Sequence, residues 1–152
     1  MTPERKQEYT TRITSANRTG IIVITYELAL GYLKDARQEA SEGDKEGCRR
    51  ELKNSSRCIE QLLMALNYDY MISVNLMRIY NYVLECIRQA SYSLDMDRLK
   101  EPEKILGRLK KSFEEVAKTD TSGPMMDGAE EVYDGLTYNA KGRTNINTIK
   151  SR

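Results

Sequence analysis

An all-α fold, an antiparallel up-down four-helix bundle with a flexible N-terminal arm and a C-terminal tail, is predicted from three observations. Apolar residues recur at a 3.6-residue rhythm over four long stretches. No stretch alternates apolar and polar residues as a half-buried strand would. The breaks between the stretches are only about three to six residues long, which makes sequential helices antiparallel neighbours. A chain of 152 residues is one domain by size and can bury a core without metal or disulfide.

The first helix is predicted from Arg18 to Ser41, behind Asn17 as N-cap. Ile21, Ile24, Leu28 and Tyr32 form one stripe and Ile22, Tyr26, Ala29 and Leu33 a second beside it, a face wide enough for a central helix. Gly43 supplies a left-handed stop, and Asp44 caps a second helix running to about Leu66. That helix turns Cys48, Leu52, Ser55, Ile59, Leu62 and Leu66 to one side, with Arg49, Arg50, Lys53 and Arg57 largely outside. A third runs from about Met71 to Ser93, with Ile72, Leu76, Ile79, Val83, Ile87 and Ala90 inward. The fourth, from about Asp97 to Lys118, carries Leu99, Ile105, Leu106, Leu109, Phe113 and Val116. Pro102 suits it only in the first turn, where the missing N–H costs nothing.

The chain divides as an arm (1–17), a bundle (18–118) and a tail (119–152). The arm is polar apart from Tyr9 and Ile13, which one helical turn would present to the same slot. The tail ends in a polar, basic stretch, with an apolar cluster near 130–138 (Val132, Tyr133, Leu136, Tyr138). Such a cluster either docks, on its own bundle or on a partner, or is incidental in a solvated segment.

Composition excludes several function classes. With 24 basic and 23 acidic residues the net charge is +1, unlike a general nucleic-acid binder with its clustered basic face. The longest apolar run falls far short of the ~20 residues of a spanning helix, so no membrane insertion is expected. The charged N-terminus lacks an apolar stretch, so no secretory signal is expected. Cys48, Cys58 and Cys86 stand singly within helical patterns, as reduced thiols of a cytoplasmic protein would. There is no histidine, hence no Ser-His-Asp triad, no Glu-x-x-His di-iron site and no phosphotransfer histidine. The carboxylates alternate with Lys and Arg as solvated faces do, and no glycine-rich phosphate loop is present. An enzyme is not expected, nor any cofactor or metal.

The stretch Leu66–Val83, LNYDYMISVNLMRIYNYV, is the most informative. It holds four tyrosines, Tyr68, Tyr70, Tyr80 and Tyr82, in a chain with no tryptophan and one phenylalanine. Tyrosine combines a large apolar ring with a polar tip, which suits either a bundle's core and rim or a surface that binds a partner.

These residues carry a resemblance. The run TYELALGYLKDA (25–36) resembles the "LYdGAixfLxxA" signature that opens the flagellin export chaperones, the FliS family. IEQLLMALNYDYMISVNLMRIYNYVLECIRQA (59–90) is similar to their second signature, in Leu66-Asn67, Ile72-Ser73, Ile79-Tyr80-Asn81-Tyr82 and Ala90. The likeness covers about residues 8–118. Thr25, Ser91 and Phe113 depart from the usual leucine, asparagine and tryptophan, and Ser15-Ala16-Asn17-Arg18 lacks the usual proline of the helix start.

The resemblance implies a cytoplasmic, non-enzymatic chaperone that binds the disordered C-terminal segment of flagellin. It would prevent premature polymerisation and deliver the client to flagellar export gate components. It implies further that the arm covers part of the client-binding surface and moves aside on binding. The candidate partner-binding residues are Tyr9, Ile13, Ile21 and Tyr26, with Leu66, Asn67, Tyr68, Tyr70, Ile72, Tyr80 and Tyr82. A small helical adaptor or regulator that binds a folded partner is the alternative.

Overall fold

The computed structural model describes residues 1–125. The segment 126–152, including the cluster near 130–138, lies outside the described residues. Among those described, the chain is all-helical: α1 (Pro3–Ser15), α2 (Arg18–Ser41), α3 (Lys45–Met64), α4 (Met71–Ser93), a 3-10 turn (Met96–Leu99) and α5 (Lys100–Thr119). The described residues resolve into two compact units, one of residues 1–21 with 120–125, the other of residues 22–119.

In the larger unit each helix buries a seam of residues spaced three and four apart. The seams are Tyr26, Ala29, Leu33 and Ala36 of α2 and Cys48, Leu52, Ser55, Ile59 and Leu62 of α3. Ser73, Leu76, Tyr80, Val83, Ile87 and Ala90 of α4 form the third, and Leu99, Pro102 and Leu106 complete the set, with Leu109 and Phe113 packed at its end. A strict three-four alternation is the seam along which helices pack side by side. The local signals predict the boundaries well. Asn17 Oδ1 accepts from the Gly20 N–H at 2.8 Å, Asp44 Oδ1 accepts from Gly47 N–H at 2.8 Å, and Gly43 has φ +80°. Pro102 is the third residue of α5, where no intrahelical N–H bond is due.

Three expectations are corrected, and one feature was not foreseen. The arm, in which at most a turn of helix was predicted, is helical from Pro3 to Ser15. Thr2 caps it by accepting from Arg5 N–H at 3.3 Å, Pro3 occupies the first turn and Glu4 faces the positive end of the helix dipole. Ile72 is 63% exposed, because the buried seam passes through Ser73, about 100° round the helix. Val116 is exposed, one turn beyond Phe113, where the core cluster ends. Leu94, which no sequence signal marks, ends α4 in the left-handed region at φ +54°, a conformation that costs an L-residue about 1–2 kcal/mol. Its side chain packs against the core, which offsets that cost.

Polar bonds in and around the core tie the helices to one another. Ser55 Oγ donates to the Ala29 carbonyl at 2.8 Å, tying α3 to α2, and Arg37 pairs with Glu103 at 2.7 Å, tying α2 to α5. The hydroxyls of Tyr26 and Tyr80 hydrogen-bond to each other, and Phe113 stacks on Tyr26 at 5.6 Å between centroids.

In the smaller unit, the chain after α5 runs beside the start of α2. Asn17 Nδ2 donates to the carbonyls of Asp120 (3.4 Å) and Ser122 (3.3 Å), Thr19 Oγ1 donates to Asp120 Oδ2 (2.6 Å), and Met125 N–H donates to the Ala16 carbonyl (2.9 Å). Hydrogen bonds from Ser122 and Thr19 hold the Asp120 carboxyl down at about 2.

The hydroxyl pair generates the first prediction. Tyr26→Phe or Tyr80→Phe alone leaves one buried hydroxyl without a partner and costs about 1–3 kcal/mol, whereas the double change recovers most of the loss. Urea midpoints of the four proteins check this. Burial, then the bond to Tyr80, pushes the Tyr26 phenol far above the ordinary value of a tyrosine. A raised folded-state value contributes stability that is fully present below pH 10 and is lost as pH rises beyond it. Midpoints at pH 9 and 11 should therefore fall more steeply for the native chain than for the double variant.

Candidate partner-binding surface

Ten large apolar side chains are exposed among the described residues, and six of them fall in 64–74: Met64, Tyr68, Tyr70, Met71, Ile72 and Val74. Scattered exposed apolar residues are ordinary, but six within so short a stretch are not. Met71 is 90% exposed, beside Ile72. The concentration follows from the connection between α3 and α4. Leu62, Leu63 and Leu66 turn into the core, so Met64 and the residues from Asn67 to Ile72 project outward.

The connection is rigidly bonded. Asn67 Oδ1 accepts from Asp69 N–H at 3.0 Å, closing a turn from the side chain, and the Asn67 carbonyl accepts from Tyr70 N–H at 3.2 Å and from Ser73 Oγ at 2.6 Å. Ser73 is buried, so its hydroxyl anchors the turn to the first turn of α4 while Tyr68 and Tyr70 stay outside. The Leu-Asn and Ile-Ser pairs thus have an internal physical role. One member of each is drawn inward, and Asn67 and Ser73 tie the two pairs together. A surface held in this way loses little conformational entropy on binding.

The sequence-predicted residues separate into groups. Tyr68, Tyr70 and Ile72 belong to the exposed stretch, with Asn67 exposed beneath it as its organiser and Leu66 part-buried at its root. Tyr26 and Tyr80, at 0% and 2% exposure, are core residues and offer no surface as folded. This corrects their expected placement, because each ring lies on its helix's buried seam and each hydroxyl is satisfied by the other. Tyr82 is about half exposed on α4, and its hydroxyl donates to Glu101 Oε2 at 2.8 Å, a bond that raises the phenol above its ordinary value. In the smaller unit, Tyr9 and Ile13 are part-buried one turn apart on α1, and the Arg12 guanidinium lies 5.3 Å from the centre of the Tyr9 ring. Ile21 is part-buried at the start of α2.

Sequence reasoning missed Met64, Met71 and Val74. The available signal was a methionine on each side of the tyrosine loop, since methionine's flexible, polarisable chain suits surfaces that adapt to a partner. The three cysteines are free, and burial pushes the Cys58 thiol up to about 11, so it stays protonated at neutral pH. No helix among the described residues is long and apolar enough to cross a membrane.

The turn generates a second prediction. Asn67→Ala removes the side-chain acceptor for Asp69 but leaves the core intact. Amide exchange at Asp69 should accelerate several-fold while the unfolding free energy from urea denaturation falls by less than about 1 kcal/mol, the worth of one exposed hydrogen bond.

Among curated proteins no match is found. The family model described as "Flagellar protein FliS" matches residues 1–120, which takes in α1 to α5 and the helix signatures around Tyr26 and Asn67. With four-fifths of its length covered by that model, the chain belongs to the FliS family of flagellar proteins.

Proposed function

We propose that this protein is a flagellar secretion chaperone that binds the disordered C-terminal segment of flagellin in the cytoplasm, prevents its premature polymerisation and delivers it to the flagellar export apparatus. The observation that carries the reading is the exposed apolar stretch 64–74 on a chain of this family. A client segment that is unfolded alone and helical in its polymer offers rows of apolar side chains. Such rows suit helix-in-groove recognition by exposed Met, Tyr and Ile. Ordering the client on binding consumes part of the gross interaction energy, which keeps the complex reversible, as a carrier requires. We infer an antiparallel up-down arrangement of α2 to α5, supported by the short connections 42–44 and 65–70. Tyr9, Ile13 and Ile21 are contacts of the client made by the amino-terminal unit in this reading. The work is binding alone, with no catalytic group and no cofactor. A small helical adaptor for a folded partner would use the same surface without the client's coupled folding.

The test is calorimetric. Full-length protein titrated with the C-terminal segment of flagellin should bind at about one to one, with a nanomolar to micromolar dissociation constant and a large negative heat-capacity change. Because Met71 and Ile72 are exposed, Met71→Glu with Ile72→Glu should leave thermal unfolding unchanged. It should weaken binding at least tenfold, since each buried apolar side chain is worth about 1.5–3 kcal/mol. Tyr9→Ala with Ile13→Ala reports separately on α1, and unchanged on- and off-rates would remove those residues from the interface. Absence of heat with the unmodified chain would leave the adaptor reading in place of the chaperone.

A further inference from the structure

The side of the α3–α4 pair that carries Tyr92 has a different chemistry from the apolar stretch. A groove of about 670 Å³ runs between α3 and α4, with the buried Leu52 in its floor and Arg49, Lys53 and Arg88 on its rims. Tyr92 stands beside it, 86% exposed. A second groove of about 390 Å³ shares Arg88 and Tyr92 and adds Arg98. The two therefore read as one channel bearing four cations.

The charges on this face cancel only in part. Glu85 is bound to Arg88 through two hydrogen bonds, and Asp95 lies 3.7 Å from Arg98, but neither acid lines either groove. Arg49 Nε donates to the Ser91 carbonyl at 3.2 Å, which orients the guanidinium across the groove without neutralising it. Lys53 is exposed and makes no bond to a described residue. On a chain whose total charge is only +1, this is a local excess of positive charge over a mostly apolar trough.

We propose that this groove docks an acidic, amphipathic peptide segment of a partner protein, at a site separate from the exposed stretch 64–74. An apolar side chain of the segment lies over Leu52 and against the Tyr92 ring, and carboxylates on either side meet Arg49 and Lys53 of α3 and, on the other rim, Arg98 of the 3-10 turn and the Arg88 N–H groups that Glu85 leaves open. Guanidinium groups favour carboxylates because their paired N–H donors match the two oxygens. An exposed tyrosine beside arginines is the composition of a binding hot spot. A nucleic-acid strand fits less well. It needs cations that track a backbone continuously, and here Glu85 and Asp95 stand directly behind two of the four.

The probe is a fluorescein-labelled twelve-residue helical peptide of glutamate and leucine, with its lysine–leucine counterpart as control, read by anisotropy against the full chain. The acidic peptide should bind, with affinity falling as salt rises, and the lysine peptide should not. Arg49→Glu with Lys53→Glu should weaken binding roughly tenfold or more, and Tyr92→Ala several-fold with the salt dependence kept. Lys53→Glu alone, which breaks no bond within the fold, should weaken it several-fold and covers the case in which loss of the Arg49–Ser91 bond unfolds the double variant. All three variants should bind the flagellin segment as the native chain does, so failure here is separable from failure of the chaperone reading. Equal affinity of the native and Lys53→Glu chains for the acidic peptide would overturn the proposal. So would a single-stranded oligonucleotide that displaces the peptide and binds more tightly, which would make the face a nucleic-acid surface.

Discussion

Much of the larger unit depends on two phenol rings that meet in its centre. Tyr26 and Tyr80 are too large and too polar to be buried in arbitrary positions, because each hydroxyl must find a partner once water is excluded. They find each other, and Phe113 stacks on the first of them. This arrangement exists for one axial register of α2 and α4, since sliding either helix by a turn moves its ring about 5.4 Å and strands a hydroxyl. Aliphatic side chains elsewhere on the seams would tolerate several packings. The hydroxyl pair selects among them.

Fixing that register has a consequence at the end of the α3–α4 pair. With Tyr80 inward, the three-four alternation reaches back along α4 through Leu76 to Ser73, so Ile72 and Met71 are turned out. Ser73 then meets the Asn67 carbonyl, the connection closes on itself, and Tyr68 and Tyr70 are held in solvent. The core and the exposed surface are thus one solution. The residues that bury area within the fold determine which ones remain available to a partner.

The two faces of the α3–α4 pair illustrate a division of labour that charge and hydrophobicity make possible on a small bundle. The 64–74 stretch carries one charged residue, Asp69, among methionine, tyrosine and isoleucine, so attraction there comes from burial and is nearly insensitive to salt. The groove beside Tyr92 is rimmed by arginine and lysine, so the recognition proposed there is oriented and salt-dependent. In the chaperone reading proposed above, holding a client while engaging another component has use for two surfaces that do not compete in kind.

Helix existence, most boundaries and most seams were legible in the sequence because they are local. Asn17, Gly43 and Asp44 act on backbone groups within a few residues, and the three-four rhythm of Cys48 to Leu62 reports burial whatever the helix packs against. The helicity of 3–15 was legible too, in Thr2, Pro3 and Glu4, but its low apolar content masked it. Leu94 gave no such sign, since its left-handed turn is sustained by tertiary packing of its own side chain. The candidate surface was half legible. A tyrosine-rich loop could be seen, yet whether a given tyrosine faces core or solvent depends on which of two adjacent stripes a neighbouring helix covers. The sequence by itself determined that this chain forms helices with apolar seams. Only the tertiary structure decided that Tyr26 and Tyr80 close on each other while Met71, Ile72 and their neighbours stay exposed, because a buried hydroxyl is satisfied by a partner distant in sequence.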